Sequence, residues 1–249
     1  MNGHRTYVAG LGLLAVIASF GVSCGQEGQA VAAEENVLLF EDFSEGMDNW
    51  WVEGGVNTWV EDERLHMNAN PEGEGKQPGY VATVWCKQEF SGDVKVEFDA
   101  HVVASATDVN NINFFLLYSD PEGTPLYETR ESRADAGYKL YHVLNGNIFT
   151  FLNDTRKESQ DTPLDERVAR IRIRHCPGFE LLAESYDYHC RQGVTYHIEL
   201  IKQGTKLSLS VDGNLLLETE DPEPHTSGLI GLRTFRTYLW WDNIKVTQL

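Results

Sequence analysis

The chain has 249 residues, of which 41% are hydrophobic and 23% are charged, and it contains 22 glycines against 8 prolines. This composition is typical of a globular protein and excludes disordered, collagen-like and multi-span membrane classes. The formal net charge is -18, from 20 Lys and Arg against 38 Asp and Glu. Such acidity disfavours nucleic-acid binding, which depends on neutralising phosphates.

Residues 1–23 have the layout of a secretory signal, with an apolar run from Tyr7 to Phe20 followed by small residues. Cys24 and the polar residues after it resemble a bacterial lipoprotein cleavage box, in which the cysteine is acylated. Gly21 departs from that box, which usually has leucine three residues before the cysteine. We predict an extracytoplasmic protein that is anchored to a membrane only through this lipid or else is secreted. Residues 24–36 are then a flexible tether.

From Val37 onward the sequence has the two-residue periodicity of β-strands. In Val94–Val102, valine, phenylalanine and alanine alternate with charged residues and histidine, and similar patterns recur at 168–174, 197–201 and 206–211. Turn residues separate these segments. No stretch after the signal shows a clean helical stripe. We therefore predict an all-β sandwich that occupies residues 37–249 as one domain.

The two ends of this domain are predicted to be strands that lie close together. The opening strand is Val37–Phe43, and the closing strand is Trp240–Val246.

Three cysteines follow Cys24 in the chain. Cys176 and Cys190 are 14 residues apart and flank an apolar stretch, which predicts a disulfide between them and leaves Cys86 as a free thiol. Metal binding is the alternative, because a histidine precedes each of the two paired cysteines. The compact spacing of zinc ligands does not occur in the sequence, so no metal site is predicted.

Arg170, Arg172 and Arg174 alternate with isoleucines, so the three guanidinium groups stand on one face of a strand at intervals of about 7 Å. Two interpretations are open. The arginines pair with acidic side chains of neighbouring strands, or they form a site for a carboxylate or sulfate group of a ligand. The acidic candidates for such pairing are Glu180, Glu184 and Glu97.

The segment Tyr138–Asn145 also alternates and is predicted as a strand that exposes Tyr141. His142 then lies on the apolar face, as a hydrogen-bonded structural residue or as a catalytic one. His101 lies on the polar face of its strand and is the better candidate for a solvent-facing histidine. Three asparagines are interpreted either as sugar-binding amides or as turn residues: Asn110, Asn111 and Asn113.

Several segments, taken in order, resemble the YesU-like family of bacterial loci for rhamnogalacturonan and related uronate-rich polysaccharides. They are Trp51–Gly54, Val84–Cys86, Ile112–Phe115, Gly137-Tyr138 with Tyr141-His142, Arg172–Phe179 and Gly231–Arg233. The resemblance covers about Phe40 to Val246 and implies a concanavalin A-like jelly-roll that acts on an anionic polysaccharide or oligosaccharide. No cofactor is predicted, with a structural calcium ion as the alternative.

Similar jelly rolls that act on uronates catalyse β-elimination, and the residues here suit that chemistry. Arg172 or Arg174 would neutralise the uronate carboxylate, while Tyr141 with His142 or His101 transfers the proton. The nearby arginines would lower the pKa of the tyrosine base. The predicted substrate-binding residues are His101, Asn113, Arg170, Glu184 and Arg233.

The leaving group distinguishes the reactions: a sugar defines a lyase, and a ring hydroxyl defines a dehydratase that acts on unsaturated uronyl oligosaccharides. A non-catalytic glycan-binding lipoprotein is the first alternative. A glycoside hydrolase is the second, and it requires two carboxylates that face one cleft, Glu97 or Asp99 together with Glu184.

Overall fold

The structure is a computed structural model, and it describes residues 35–72, 77–154, 163, 166 and 168–249. The predicted signal, Cys24 and the tether up to residue 34 lie outside the described residues, as does most of the loop at 154–166. Among the described residues, no helix is long and apolar enough to cross a membrane.

Strands account for most of the described chain, as the alternating sequence predicted. The first eight are β1 (Asn36–Glu41), β2 (Trp50–Gly54), β3 (Asn57–Glu61), β4 (Arg64–Asn68), β5 (Val81–Ser91), β6 (Val94–Ser105), β7 (Ile112–Ser119) and β8 (Asn145–Phe151). The remaining strands are β9 (Ile171–Cys176), β10 (Glu180–Ser185), β11 (Thr195–Gln203), β12 (Lys206–Val211), β13 (Asn214–Glu220), β14 (Ser227–Phe235) and β15 (Thr237–Gln248). The described helices are short 3₁₀ turns at Ala106–Asp108, Arg130–Arg133 and Tyr138–Leu140.

The strands form two antiparallel sheets that pack face to face. The eight-stranded sheet has the order β13-β12-β11-β6-β15-β4-β3, with β1 paired to β15, and the seven-stranded sheet has the order β10-β9-β8-β7-β14-β5-β2. The pairing of β1 with β15 confirms that the opening and closing strands of the domain are neighbours. The architecture is the predicted all-β jelly-roll sandwich.

The core between the sheets is built by the residues that the period-two pattern assigned to it. Val96 and Phe98 of β6 face inward, as do Ile171 and Ile173 of β9, and all four are buried. The rings of Phe98 and Phe114 stack across the two sheets with centroids 5.2 Å apart. Burial of these apolar side chains fixes which residues of each strand face outward.

A second apolar cluster covers the outer face of the seven-stranded sheet. Residues 120–144, which we call the strap, cross this face between β7 and β8. The cluster joins side chains of the strap to side chains of the strands beneath it: Trp51, Trp85, Phe115, Tyr118, Leu126, Tyr141, Leu144, Ile148 and Cys176. The seven-stranded sheet is therefore covered on both faces.

The predicted strand at Tyr138–Asn145 is wrong. Tyr138–Leu140 form a 3₁₀ turn, and β8 begins only at Asn145. Ala136 has a φ of 51°, and this left-handed residue turns the strap into the helical turn instead of an extended strand. Tyr141 is consequently fully buried under the strap and not exposed as predicted.

The predicted disulfide is also wrong, because Cys176 and Cys190 are both free and buried. Cys190 lies in the core between the sheets, whereas Cys176 lies in the outer cluster under the strap. Cys176 follows Arg172 and Arg174 in β9 by four and two residues, so its side chain lies on the same outer face of the sheet. A separation of 14 residues along the chain does not distinguish these two faces.

Gly146 at the start of β8 leaves room for the ring of Tyr118, a member of the outer cluster. It has a φ of 138°, and a Cβ atom there would lie 2.2 Å from the ring of Tyr118. We expect Gly146→Ala to lower the free energy of unfolding by about 3 kcal/mol, because it adds overpacking to backbone strain.

The control for this variant is Gly204→Ala, at a φ of 58° with open space around the position of the new Cβ. It should cost only about 1 kcal/mol, from backbone strain alone. Urea denaturation of the full chain measures both values. Equal losses for the two variants would contradict the packing role of Gly146.

Candidate functional site

One line of register crosses the whole outer face of the seven-stranded sheet and consists of polar residues. From β2 to β10 its members, which we call the polar register line, are Glu53, Thr83, Arg233, Asn113, Thr150, Arg172 and Glu184. Thr83, Asn113, Thr150 and Arg172 face outward because both neighbours of each along the strand are buried in the core. The first five members of the line are at most 3% exposed. Buried polar side chains need hydrogen-bond partners, so this row on the outside of the sheet is the candidate site.

A cavity of about 570 Å³ lies over the middle of this line, between the sheet and the strap. Its floor contains four members of the polar register line: Asn113, Thr150, Arg172 and Arg233. The strap contributes Asp135, Gly137, Tyr138, Lys139, Leu140 and His142, and an apolar wall is formed by Tyr80, Val81, Val109, Leu152 and Phe235. The lining thus combines two buried or half-buried arginines of the floor, the exposed Asp135 carboxylate of the strap and an apolar wall.

Arg233 is the most deeply buried cation of the cavity, at 1% exposure. Its Nη1 atom donates to Thr83 Oγ1 at 2.8 Å and to the carbonyl of Ala136 at 3.0 Å. The guanidinium carbon lies 4.6 Å from the centre of the Tyr138 ring. No carboxylate of the described residues forms an ion pair with it, although buried cations are normally paired.

The three arginines of β9 stand on one face, as their alternation with isoleucine predicted. Arg170 Nε donates to Glu184 Oε2 at 2.9 Å, so the expected cross-strand pairing with Glu184 is confirmed for this arginine. Arg172 interacts more weakly with the same carboxylate, because its Nε is 4.0 Å from Glu184 Oε2. Arg174 lies over the ring of Phe179 at 4.1 Å and donates to the Phe179 carbonyl.

The charges of this face are only partly neutralised. Burial, together with the neighbouring charges of Arg170 and Arg174, lowers the pKa of Arg172 to about 10. Although burial opposes ionisation of Glu184, hydrogen bonds from Tyr186 and Arg170 hold the pKa of its carboxyl below the usual value. An anion in the cavity would therefore meet a cationic surface inside a protein of net charge -18.

Tyr138 and His142 bring titratable rings to the strap side of the cavity, with centroids 4.5 Å apart. Burial raises the pKa of Tyr138, and this outweighs the opposite effect of Arg233 and Arg172. Burial and the charges of Arg233 and Arg174 lower the pKa of His142 to about 4. At neutral pH the phenol therefore keeps its proton, whereas the imidazole is uncharged.

Three cavity residues carry a buried polar atom without a hydrogen-bond partner in the described part of the chain. These atoms are Asn111 Oδ1, His142 Nε2 and Arg172 Nε. The ring of His142 stacks on Phe179 with centroids 3.7 Å apart. The stacked ring and the unpartnered Nε2 are compatible with either predicted role of His142, structural or catalytic.

The structure brings together four of the residues predicted from the sequence around one cavity: Asn113, His142, Arg172 and Arg233. Asn113 is a floor residue and not a turn residue, and its Oδ1 accepts a hydrogen bond from Thr150. Asn110, by contrast, belongs to a loop and donates to Asp108 and to the carbonyl of Cys190. Arg170, Arg174 and Glu184 flank the cavity without lining it.

Two other predicted placements are wrong. Tyr141 is buried, and its hydroxyl donates to Glu53 at 2.6 Å, so burial and the Glu53 charge raise its pKa. Tyr141 is therefore not a solvent-facing base. His101 is in β6 of the other sheet, where it stacks on Trp240 at 5.0 Å. It is consequently on the opposite face of the sandwich from the arginines.

The carboxylates required for a glycoside hydrolase do not share a cleft. Glu97 and Asp99 project from the outer face of the eight-stranded sheet, where Glu97 pairs with Lys95 and Lys245. Glu184 lies in the seven-stranded sheet. Two carboxylates on opposite sides of the sandwich cannot flank one glycosidic bond.

Tyr138 is the site residue that the sequence reasoning missed. By the two-residue alternation Tyr138 shares a face with Leu140 and His142 and not with Tyr141. It was therefore not predicted as a site residue, although Gly137-Tyr138 belongs to the segments that carry the family resemblance. For metals, the described residues contain no group of three or more His, Cys, Asp or Glu that could hold an ion. A structural calcium ion stays a prediction.

Comparison with solved structures shows the same fold in proteins with carbohydrate-related names. A Bacillus subtilis protein of unknown function with a galectin-like fold is 21% identical, with a TM-score of 0.68 over 86% of this chain and 97% of that chain. The carbohydrate binding module CBM66 from Bacillus subtilis is 12% identical, with a TM-score of 0.53 over 80% of this chain and 96% of that chain.

The exoplasmic/lumenal domain of VIP36, in a Ca²⁺/Man3GlcNAc-bound form, is 13% identical, with a TM-score of 0.57 over 85% of this chain and 87% of that chain. At these identities the likeness establishes the fold. No curated protein sequence matches the chain. The narrower YesU-like assignment is not established by these matches. A family model, described as a domain of unknown function, matches residues 38–238, and the chain therefore belongs to the DUF1961 family.

Proposed function

We propose that the cavity binds a glycan that carries a carboxylate group. The observation that carries this proposal is the burial of Arg233 without a carboxylate partner among the described residues. A buried cation costs free energy unless an anion compensates it. Arg172, three strands away on the same polar register line, adds a second under-neutralised guanidinium to the floor.

The rest of the cavity suits a sugar ring better than a small inorganic anion. Asn111, Asn113 and Thr150 offer amide and hydroxyl groups that match sugar hydroxyls, and Phe235 and Tyr80 form an apolar wall. Its volume of about 570 Å³ lies within the range of sites for small organic ligands. Similarity in fold to a carbohydrate binding module and to a Man3GlcNAc-bound domain supports the same ligand class.

Calorimetry of the full chain with trigalacturonate, beside an uncharged trisaccharide, tests the proposal. We expect trigalacturonate to bind more tightly, and we expect Arg172→Gln to weaken it about 10- to 100-fold, the cost of losing a hydrogen bond between charged groups. Arg191→Gln removes one positive charge from an exposed position outside the cavity and should leave the affinity within about twofold, as surface charge changes do. Equal affinity for the charged and uncharged trisaccharides would overturn the proposal.

β-Elimination is a second candidate, and the pair Tyr138 and His142 favours it. Their environments move the two pKa values apart, which is typical of acid and base partners. In this scheme His142 accepts the proton from the carbon beside the carboxylate. The C–H electrons form a double bond, the C–O bond to the leaving group breaks, and Tyr138 protonates the leaving oxygen. Arg172 stabilises the charge that develops on the carboxylate.

Ultraviolet absorbance and mass spectrometry of pectic and ulvan-type oligosaccharides, intact and lyase-generated, distinguish the reactions. New absorbance from intact chains indicates a lyase, and loss of water from unsaturated ends indicates a dehydratase. We expect Tyr138→Phe to lower turnover about 100-fold or more while trigalacturonate still binds, since only the proton donor is removed. No product from the wild-type chain on any member of the panel would contradict elimination and leave binding alone.

The sequence also supports an extracytoplasmic location with a lipid on Cys24. The named exoplasmic/lumenal domain of the same fold is in line with such a compartment. We expect intact-mass measurement of membrane-extracted protein to show an acylated chain that begins at Cys24. Cys24→Ala should release the protein into the soluble fraction. A soluble wild-type protein would contradict the lipid anchor and favour simple secretion.

A further inference from the structure

We propose that Glu53, Arg133 and Tyr141 are positioning residues for the ligand, although none of them lines the cavity. This inference rests on the proposed binding function. It assigns part of the ligand affinity to a buried network behind the strap and not to contacts with the ligand. The residues it positions are those of the helical turn Tyr138–Leu140 and the adjoining His142.

The network is centred on the carboxylate of Glu53, at the β2 end of the polar register line. Arg133 of the strap donates to Glu53 Oε1 from Nε at 3.2 Å and approaches the same atom with Nη2 at 3.1 Å. Tyr141, also of the strap, donates to Oε2 at 2.6 Å. The indole nitrogens of Trp51 and Trp85 donate from the sheet. One carboxylate thus joins two points of the strap to two strands.

All three positioning residues are inaccessible to solvent, with exposures of 2% for Glu53, 3% for Arg133 and 0% for Tyr141. A buried ion pair of this kind contributes little net stability, because desolvation offsets the attraction. Breaking it is nevertheless costly, because one charge is left buried and unpaired. The network therefore favours one docked position of the strap over all others.

Residues 137–140 line the cavity, and we call them the cavity segment. Backbone contacts hold the chain in place on the N-terminal side of this segment. Gly54 N donates to the carbonyl of Ala134 at 2.9 Å, and Arg233 donates to the carbonyl of Ala136. A Cβ atom on Gly54 would lie 2.6 Å from the Cβ of Ala136, so strand and strap are in direct contact there. Arg133 reinforces this end of the segment.

On the C-terminal side of the cavity segment, the hydrogen bond from Tyr141 to Glu53 holds the chain in place. Between the anchored Ala136 and the anchored Tyr141 lie only residues 137–140, and all four line the cavity. A segment of four residues held at both ends has little freedom to change position. The hydrogen bonds to Glu53 consequently set where the Tyr138 phenol and the ring of His142 stand relative to Arg172 and Arg233. Such preorganisation improves affinity, because the ligand need not order the segment.

The variant Tyr141→Phe tests this role, because it removes one hydrogen bond to Glu53 and retains the ring. Its matched control is Tyr196→Phe. Tyr196 is 3% exposed in β11 of the other sheet, and its hydroxyl donates to the carbonyl of His189 at 3.2 Å and accepts from Arg191 N at 2.8 Å. Both variants remove the hydrogen-bonded hydroxyl of a buried tyrosine, but only Tyr141 adjoins residues 137–140 of the cavity.

We expect Tyr141→Phe to weaken trigalacturonate binding about tenfold, within the range of coupled neighbouring residues. Amide hydrogen exchange of residues 137–142 should also become faster. Tyr196→Phe should leave both readouts unchanged even where the melting temperature falls equally. Arg133→Lys retains the positive charge but loses the two-point contact with Glu53, so it should also weaken trigalacturonate binding. This second variant tests the proposal if Tyr141→Phe misfolds.

The outcomes separate the two proposals. Tight binding by the wild-type chain and by both variants would overturn the positioning role and leave the binding function intact. A weakened affinity in Tyr196→Phe equal to that in Tyr141→Phe would assign the effect to general stability and also overturn positioning. No binding by the wild-type chain would overturn the proposed function, and the positioning role with it.

Discussion

Each strand of the seven-stranded sheet must direct alternate residues into the core, and this requirement determines where the polar residues of the cavity stand. Ile171 and Ile173 are buried between the sheets, so Arg172 between them points outward. The same parity directs Asn113 and Arg233 outward on their strands. A slip of one residue in β9 would place Arg172 and Arg174 between the sheets. The cavity floor is therefore specified by the packing of the core on its other side.

The strap gives these polar residues their chemical properties. On an uncovered sheet the arginines would be solvated and their charges screened by water. Under the strap, Arg233 is almost completely buried and contacts three aromatic rings, those of Phe115, Tyr138 and Tyr141. Charges interact more strongly in such surroundings than in water. The covering segment thus converts an ordinary polar sheet face into a candidate anion site.

The parts that the sequence predicted are those governed by local periodicity. Alternation in β6, β9 and β12 identified the strands and the inward residues, and it placed Arg170, Arg172 and Arg174 on one face. Periodicity failed in the strap, where Tyr138 to Asn145 alternate in polarity without being extended. There the conformation follows from tertiary contacts, chiefly the burial of Tyr141 against Glu53.

Local sequence patterns also could not predict the contacts between segments that are distant along the chain. The separation of Cys176 from Cys190 depends on which face of the sandwich each occupies, and the separation of His101 from the arginines depends on which sheet holds it. Neither follows from spacing along the chain. The polar register line is a similar case, because its seven members come from seven strands and have no common sequence motif.

The contrast between the cationic cavity and the acidic body has a consequence for the size of the ligand. The chain carries a net charge of -18, so a long polyanion is repelled along most of its length as it approaches. A short acidic oligosaccharide places few charges outside the cavity and escapes most of this repulsion. Salt screens exposed charges beyond roughly 10 Å at 0.1 M but screens buried ones less. If the ligand binds as proposed, short fragments would therefore bind more tightly than intact polymer, and the difference in affinity would decrease as ionic strength rises.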